Sequence, residues 1–160
     1  MPNSLSTQLK EYLIFQNEHT EIYDLRHQIP HTIFAYWKGY LMMDTPEAID
    51  ACQFSLDLFQ EKDIKVMISD HSFLEGAEVD FLDWLHDYYF PTAVRNGLVA
   101  EIVLSSNHDI GNIALELMYD EDDLYQKVKR GELYTPKIDG FEPAKLLAAK
   151  IIAEKQALSE

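Results

Sequence analysis

Residues 64–70 read IKVMISD and residues 98–105 read LVAEIVLS, with an aromatic-rich segment between them that ends WLHDYYFPTAVRNG. Two β-branched runs of strand length thus enclose one stretch of helical period. That pattern predicts strand, helix and parallel strand, because parallel neighbours need a crossover long enough to hold a helix. The fold class it sets is α/β.

Downstream, SSNHD (105–109) offers several caps for a helix from about 110 to 118. DEDDLYQKVKRG (120–131) predicts another helix, with acids at its start, bases at its end and Gly131 just past it. YTPKIDG (134–140) suits a short last strand, and EPAKLLAAKIIAEKQ (142–156) a terminal helix.

Upstream, SFLEG (72–76) reads as a loop. Residues 77–95 read as helical, with Pro91 set to end or kink the regular turn and Asn96-Gly97 as the stop. Asp44-Thr45-Pro46-Glu47 starts a helix that runs to about Lys62, with Thr45 placed to cap it. Its inner stripe is Ala48, Cys52, Leu56 and Phe59. HTIFAYWKGY (31–40) is apolar on both faces, as a central strand is. EYLIFQ (11–16) and EIYDLR (21–26) flank NEHT as a hairpin, and residues 1–9 are expected to be loosely ordered. With right-handed crossovers this order lays out a mixed sheet of five to six strands. An antiparallel N-terminal hairpin lies at one edge, parallel βαβ units follow, and residues 1–160 make one domain.

Composition narrows the function classes. Apolar residues make up 47% and charged residues 26%, as in an ordinary soluble globular chain. The net charge is −15. Residues 1–126 hold 6 Lys/Arg against 23 Asp/Glu, and residues 127–160 hold 7 against 5. An acidic body repels phosphate backbones and anionic headgroups, which argues against nucleic-acid binding and polybasic membrane docking. The single Cys52 excludes an internal disulfide and suits a reducing compartment, and no secretory leader or membrane-spanning run is visible, so a cytoplasmic location is expected. No phosphate loop, nucleophile elbow or His-Glu-x-x-His motif occurs.

Three short stretches carry a family resemblance. Trp37-Lys38-Gly39 closes the third strand, Tyr89-Phe90-Pro91-Thr92-Ala93-Val94-Arg95-Asn96-Gly97-Leu98 precedes the fifth, and Lys137-Ile138-Asp139-Gly140-Phe141-Glu142-Pro143-Ala144-Lys145 leads into the last helix. Over roughly residues 20–155 the chain resembles the STAS/SpoIIAA-like group of bacterial proteins, which in turn resembles the lipid-binding CRAL-TRIO fold. The resemblance implies a non-enzymatic interaction or regulatory domain with no cofactor. Through CRAL-TRIO it also implies a possible small apolar or lipid-like ligand. Where phosphorylated members carry an Asp-Ser-Ser-Gly-like turn, this chain reads Asp70-His71-Ser72-Phe73-Leu74-Glu75-Gly76-Ala77.

Candidate sites follow from placement. Open α/β sheets bind ligands at the carboxyl ends of their strands. Asp70, His71 and Ser72 end one strand, and His108 and Asp109 follow its neighbour, so the edge could gather two histidines and two carboxylates. Ordinary turn and cap chemistry explains the same residues. Asp83, His86 and Asp87 have helical metal-site spacing, yet the acids also fit a solvated strip, and no metal is assigned. On the 77–90 helix, Val79, Leu82, Leu85 and Tyr89 make one apolar stripe and Phe81, Trp84 and Tyr88 a second, an arc about 220° wide. The second stripe must be covered by the N-terminal hairpin, the C-terminal helix, a second subunit or a lipid-like ligand. Phe81, Trp84 and Tyr88 are the expected contact residues if a partner covers it, with a homodimer the simplest assembly. An enzyme using the His71/His108 edge is the remaining alternative.

Overall fold

A computed structural model describes residues 4–119 and 133–159. The fold is α/β, built on one five-stranded mixed sheet in the order β1-β2-β3-β4-β5. β1 (Leu13–Gln16), β2 (Thr20–Asp24) and β3 (Thr32–Leu41) are antiparallel, while β4 (Val66–Ala77) runs parallel to β3 and β5 (Ala100–Leu104) parallel to β4. Where the sequence suggested a short last strand, Tyr134 and Lys137 add only two isolated parallel bridges to β5.

Helices cover both faces. On one lie α2 (Pro46–Glu61), a helical arm made of α3 (Val79–Trp84) and α4 (Phe90–Arg95), and α5 (Asp109–Tyr119), packed on Ile33, Ala35, Trp37, Met67 and Val103. On the other lies α6 (Phe141–Ser159), whose Ala144, Ala148, Ile151 and Ile152 pack on Phe34, Tyr36, Ile68 and Ile102. Two-sided coverage explains why β3 to β5 read as continuous apolar runs.

Four local expectations change. The start is not loose throughout, since α1 (Ser4–Gln8) leads to a Leu9 that is buried against the α6 side of the sheet. Thr45 sits at the N-cap of α2 in an extended conformation, but its side chain makes no capping bond. Residues 72–76 are strand rather than loop. β3 continues to Leu41 and offers β4 a partner as far as Ala77, with register shifts between Tyr36/Lys38 and Gly39/Tyr40. At the first shift β4 carries an extra residue opposite Trp37, and the Asp70 Oδ1 accepts the Ser72 N–H at 2.7 Å. A side chain thereby satisfies a donor displaced from the ladder.

The helical arm continues through Pro91 to Arg95. Pro91 has no N–H and its ring crowds the carbonyl four residues back. The chain answers with one π turn over Leu85–Tyr89, immediately before the proline. The helix expected over 120–131 lies outside the described residues. Among those described, no helix is long and apolar enough to cross a membrane.

Candidate functional site

Side chains on the helix-facing side of the central strands form a row across the sheet. Trp37 comes from β3, Ser69 and His71 from β4, and Glu101 from β5. Ser69 and Glu101 are 0% and 2% exposed. Indole nitrogen is a donor only, which fixes the direction of the relay. Trp37 Nε1–H donates to Ser69 Oγ at 3.2 Å, and Ser69 O–H donates to Glu101 Oε2 at 2.6 Å. A glutamate in an apolar core costs several kcal/mol of hydration unless its oxygens are met, and this relay meets part of that need.

Cys52, Phe81, Leu85, Tyr89 and Phe90 close over the row from α2 and the arm, and Met118 and Tyr119 from α5. They leave a cavity with about 20 Å³ of room for the centre of a water molecule. That is space for about one water. Burial pushes the Cys52 thiol and the Tyr89 and Tyr119 phenols well above their ordinary values, and nearby Glu101 adds to each. The Tyr89 hydroxyl is buried without a hydrogen bond. Ser55 lies close enough to act weakly on it, but Ser55 donates instead to the Ala51 carbonyl at 2.9 Å.

His71 is 2% exposed and lines this cavity. Its Nδ1 meets the Leu104 carbonyl at 3.1 Å, so the proton sits on Nδ1 and Nε2 keeps the lone pair. Burial holds the ring neutral, lowering its pKa to about 4 against the weaker opposing pull of backbone carbonyls.

The strand-end edge expected to unite His71 with His108 is therefore divided. His71 lies in the core, whereas His108 and Asp109 are exposed. Asp70 alternates to the opposite sheet face and is half-buried, and burial raises its pKa despite its bonds to Ser72. Ser72 is half-buried at the bulge. The sequence paired these residues by proximity along the chain, but strand alternation and the bulge separate them.

The expected partner stripe also divides. Phe81 is 1% exposed and belongs to the core, Trp84 is half-buried beside it, and Tyr88 is 41% exposed. The chain itself covers Phe81, while Tyr88 stays part-exposed with its hydroxyl 3.4 Å from Gln53 on α2. His86 is buried with Nε2 donating to the Met118 carbonyl at 3.1 Å, while Asp83 and Asp87 face outward.

His108 belongs to a different feature. An open groove of about 620 Å³ runs along the carboxyl ends of β3 and β4, with Tyr40 and Phe73 as its aromatic wall and Glu18, His19, Glu75 and His108 around it. Glu75 and His108 also line an adjoining hollow with Asp109 and Ile110. Tyr40, Phe73 and Ile110 are 45%, 43% and 64% exposed. Gly76 keeps Tyr40 and Ile110 together, because an added Cβ would come within 2.8 Å of the Tyr40 ring and 3.1 Å of Ile110.

α5 is seated at the groove's far side by a tight anchor. Ser106 Oγ donates to the Leu74 carbonyl at 2.6 Å, and Ser106 and Asn112 exchange two bonds at 2.9 and 3.0 Å. Gly111 lets the helix approach this closely, since a Cβ there would sit 2.2 Å from the Leu74 oxygen. Neither Glu101 nor the Tyr40/Phe73 wall was among the residues singled out from the sequence. Compared with known proteins, the chain matches no family model, no curated protein and no solved structure.

Proposed function

We propose that this chain is a STAS/SpoIIAA-like binding domain that acts by contact with another protein and performs no catalysis of its own. One observation carries the reading. Tyr40, Phe73 and Ile110 stand about half or more exposed around the groove at the carboxyl ends of the strands, and exposed apolar clusters of this kind mark interaction surfaces. The contact site moves accordingly from Phe81, Trp84 and Tyr88 to this edge. A partner of different charge is favoured over the homodimer, because two chains of net charge −15 repel each other.

The test is capture from the source cells with the intact chain and with a Phe73→Ser/Ile110→Ser variant, followed by calorimetry with the purified captured protein. Both positions are exposed, so the variant should retain the fold. The expected result is a partner held by the intact chain and bound at least about tenfold more weakly by the variant. A partner bound equally by both would refute the assignment.

A second reading, of a small ligand at the enclosed cavity, rests on the buried Tyr89 hydroxyl that lacks a hydrogen bond. At about 20 Å³ the cavity suits a water rather than a lipid tail. Native mass spectrometry of the purified chain decides this reading, and an unshifted mass excludes a retained ligand.

A further inference from the structure

The groove at the carboxyl ends of β3 and β4 has a charge pattern that specifies its partner more closely. Three exposed carboxylates, Glu18, Glu75 and Asp109, stand along it and the adjoining hollow. Among the described residues, Lys38 is the one lysine or arginine lining these two depressions, and its Nζ is held by Glu21 at 2.6 Å. His19 is tied back through Nδ1 to the Lys38 carbonyl at 3.0 Å and packs against Gly39, which has a φ of 78°. Two half-exposed aromatic rings therefore share a groove with carboxylates and, among the described residues, with no unengaged lysine or arginine.

Aromatic faces attract cations, and carboxylates beside them add to the attraction. An exposed apolar step continues from Ile110 along α5 to Ile113 and Leu117, which are 55% and 52% exposed. Spacings of three and seven place these side chains along one helix face. From this geometry we infer that the groove takes a basic peptide segment. A Lys or Arg side chain lies over Tyr40 and Phe73 between Glu18 and Glu75, and a neighbouring apolar side chain rests on Ile110. The inference rests on the contact reading above and adds the chemistry of the partner. The acidic body, with 23 Asp/Glu against 6 Lys/Arg over residues 1–126, steers such a segment toward the groove from a distance.

Two capped tetrapeptides alternating Leu with Arg, or Leu with Glu, serve as probes, titrated into isotope-labelled protein and followed by amide chemical shifts. The Leu-Arg peptide is expected to give saturable shifts at residues 38–40, 73–76 and 107–110. Raising salt from ~50 mM to ~300 mM should weaken its binding, as exposed charges are screened. Glu18→Gln/Glu75→Gln is expected to weaken binding about fivefold, as is Phe73→Ser. Asp50→Asn/Asp57→Asn removes two exposed α2 charges that do not line the groove and should weaken it less than about twofold.

Equal weakening by the two charge-removing variants would reduce the effect to bulk attraction and overturn the inference. Shifts at these amides from the Leu-Glu peptide alone would overturn the partner's charge and leave the contact reading standing. No groove shifts from either peptide would overturn the basic-segment assignment, while the dependence of the captured partner on Phe73 and Ile110 would still decide the contact reading separately. Sedimentation at rising protein concentration provides the remaining check, because self-association lost on Phe73→Ser would make a second copy the occupant and overturn the inference.

Discussion

Replacing His71 with Asn removes the titrating ring from the core while keeping a side-chain N–H in reach of the Leu104 carbonyl. In the folded chain burial lowers the His71 pKa to about 4, against the ordinary value of 6.5. The folded value lies below the unfolded one, so between these two values the unfolded chain binds a proton that the folded chain refuses. Stability from this residue is complete above about pH 6.5 and drains away as pH falls toward about 4. The full gap of about 2.5 pH units corresponds to about 3 kcal/mol, of which about 2.5 kcal/mol is gone by about pH 4.5. Carboxylates also titrate in this window, but they do so in both proteins and drop out of the difference. Urea unfolding at about pH 7.5 and about pH 4.5 provides the assay. His71→Asn should be the less stable protein at the higher pH, because it leaves a void. Its deficit should shrink by about 2–3 kcal/mol at the lower pH, and His71→Gln should behave alike if the Asn variant is too weak to measure. Parallel pH profiles for variant and parent, or a ring proton of His71 that titrates near pH 6.5, would refute the buried neutral imidazole.

Three further perturbations probe the same framework. Gly111→Ala sets a methyl 2.2 Å from the Leu74 oxygen and 2.3 Å from Ser106 Oγ, so α5 must shift, and thermal unfolding should report a loss of about 1–3 kcal/mol. No loss would mean that α5 does not approach β4 this closely. Tyr89→Phe deletes a buried hydroxyl that makes no hydrogen bond, so stability should hold within about 0.5 kcal/mol or rise. A loss above about 1 kcal/mol would instead reveal a water or ligand bonded there. Cys52 is buried, and burial pushes its thiol well above the ordinary value, so a disulfide reagent should modify it only as fast as the fold opens. Immediate labelling under native conditions would contradict its placement on the inner stripe of α2.

Legibility from sequence followed the strength of each local signal. The hairpin, the central β3 and the parallel pair β4/β5 were readable because period-two patterns and doubly apolar runs survive without tertiary information. The extension of β4 was not. Ser72, Glu75 and Gly76 have turn chemistry, and only the continuing edge of β3 draws them into the sheet. The bulge at Asp70–Ser72 compounds the difficulty, because an inserted residue shifts the alternation by one and no composition rule announces it. Glu101 had a visible signal, being the lone charge inside LVAEIVLS. Its role stays hidden because a buried run declares its apolar content, not where its one carboxylate points. The groove was missed for the opposite reason: Tyr40 and Phe73 looked like two more strand aromatics, and exposure is a property of the edge they reach.

The 77–90 segment shows how one backbone feature misdirects a pattern argument. Counting 100° per residue spreads Val79, Leu82, Leu85 and Tyr89 together with Phe81, Trp84 and Tyr88 over an arc about 220° wide, and it would also set Phe90 about 140° from Leu85. Such an arc requires cover for a second face, from the chain itself or from a partner. Pro91 changes the geometry, because the missing N–H favours a turn closed between residues five apart at Leu85–Tyr89. Such a turn brings residue i+5 back near residue i. Leu85 and Phe90 both line the cavity over Glu101, together with Phe81 and Tyr89. Much of the apparent surplus of apolar surface is thus taken up inside the fold, although Val79 and Tyr88 stay exposed. The exposed apolar cluster that lines an open groove lies at the carboxyl ends of the strands, beside carboxylates. A proline sixteen residues from the nearest edge of that groove therefore bears on where a partner is to be sought, through the face it turns inward.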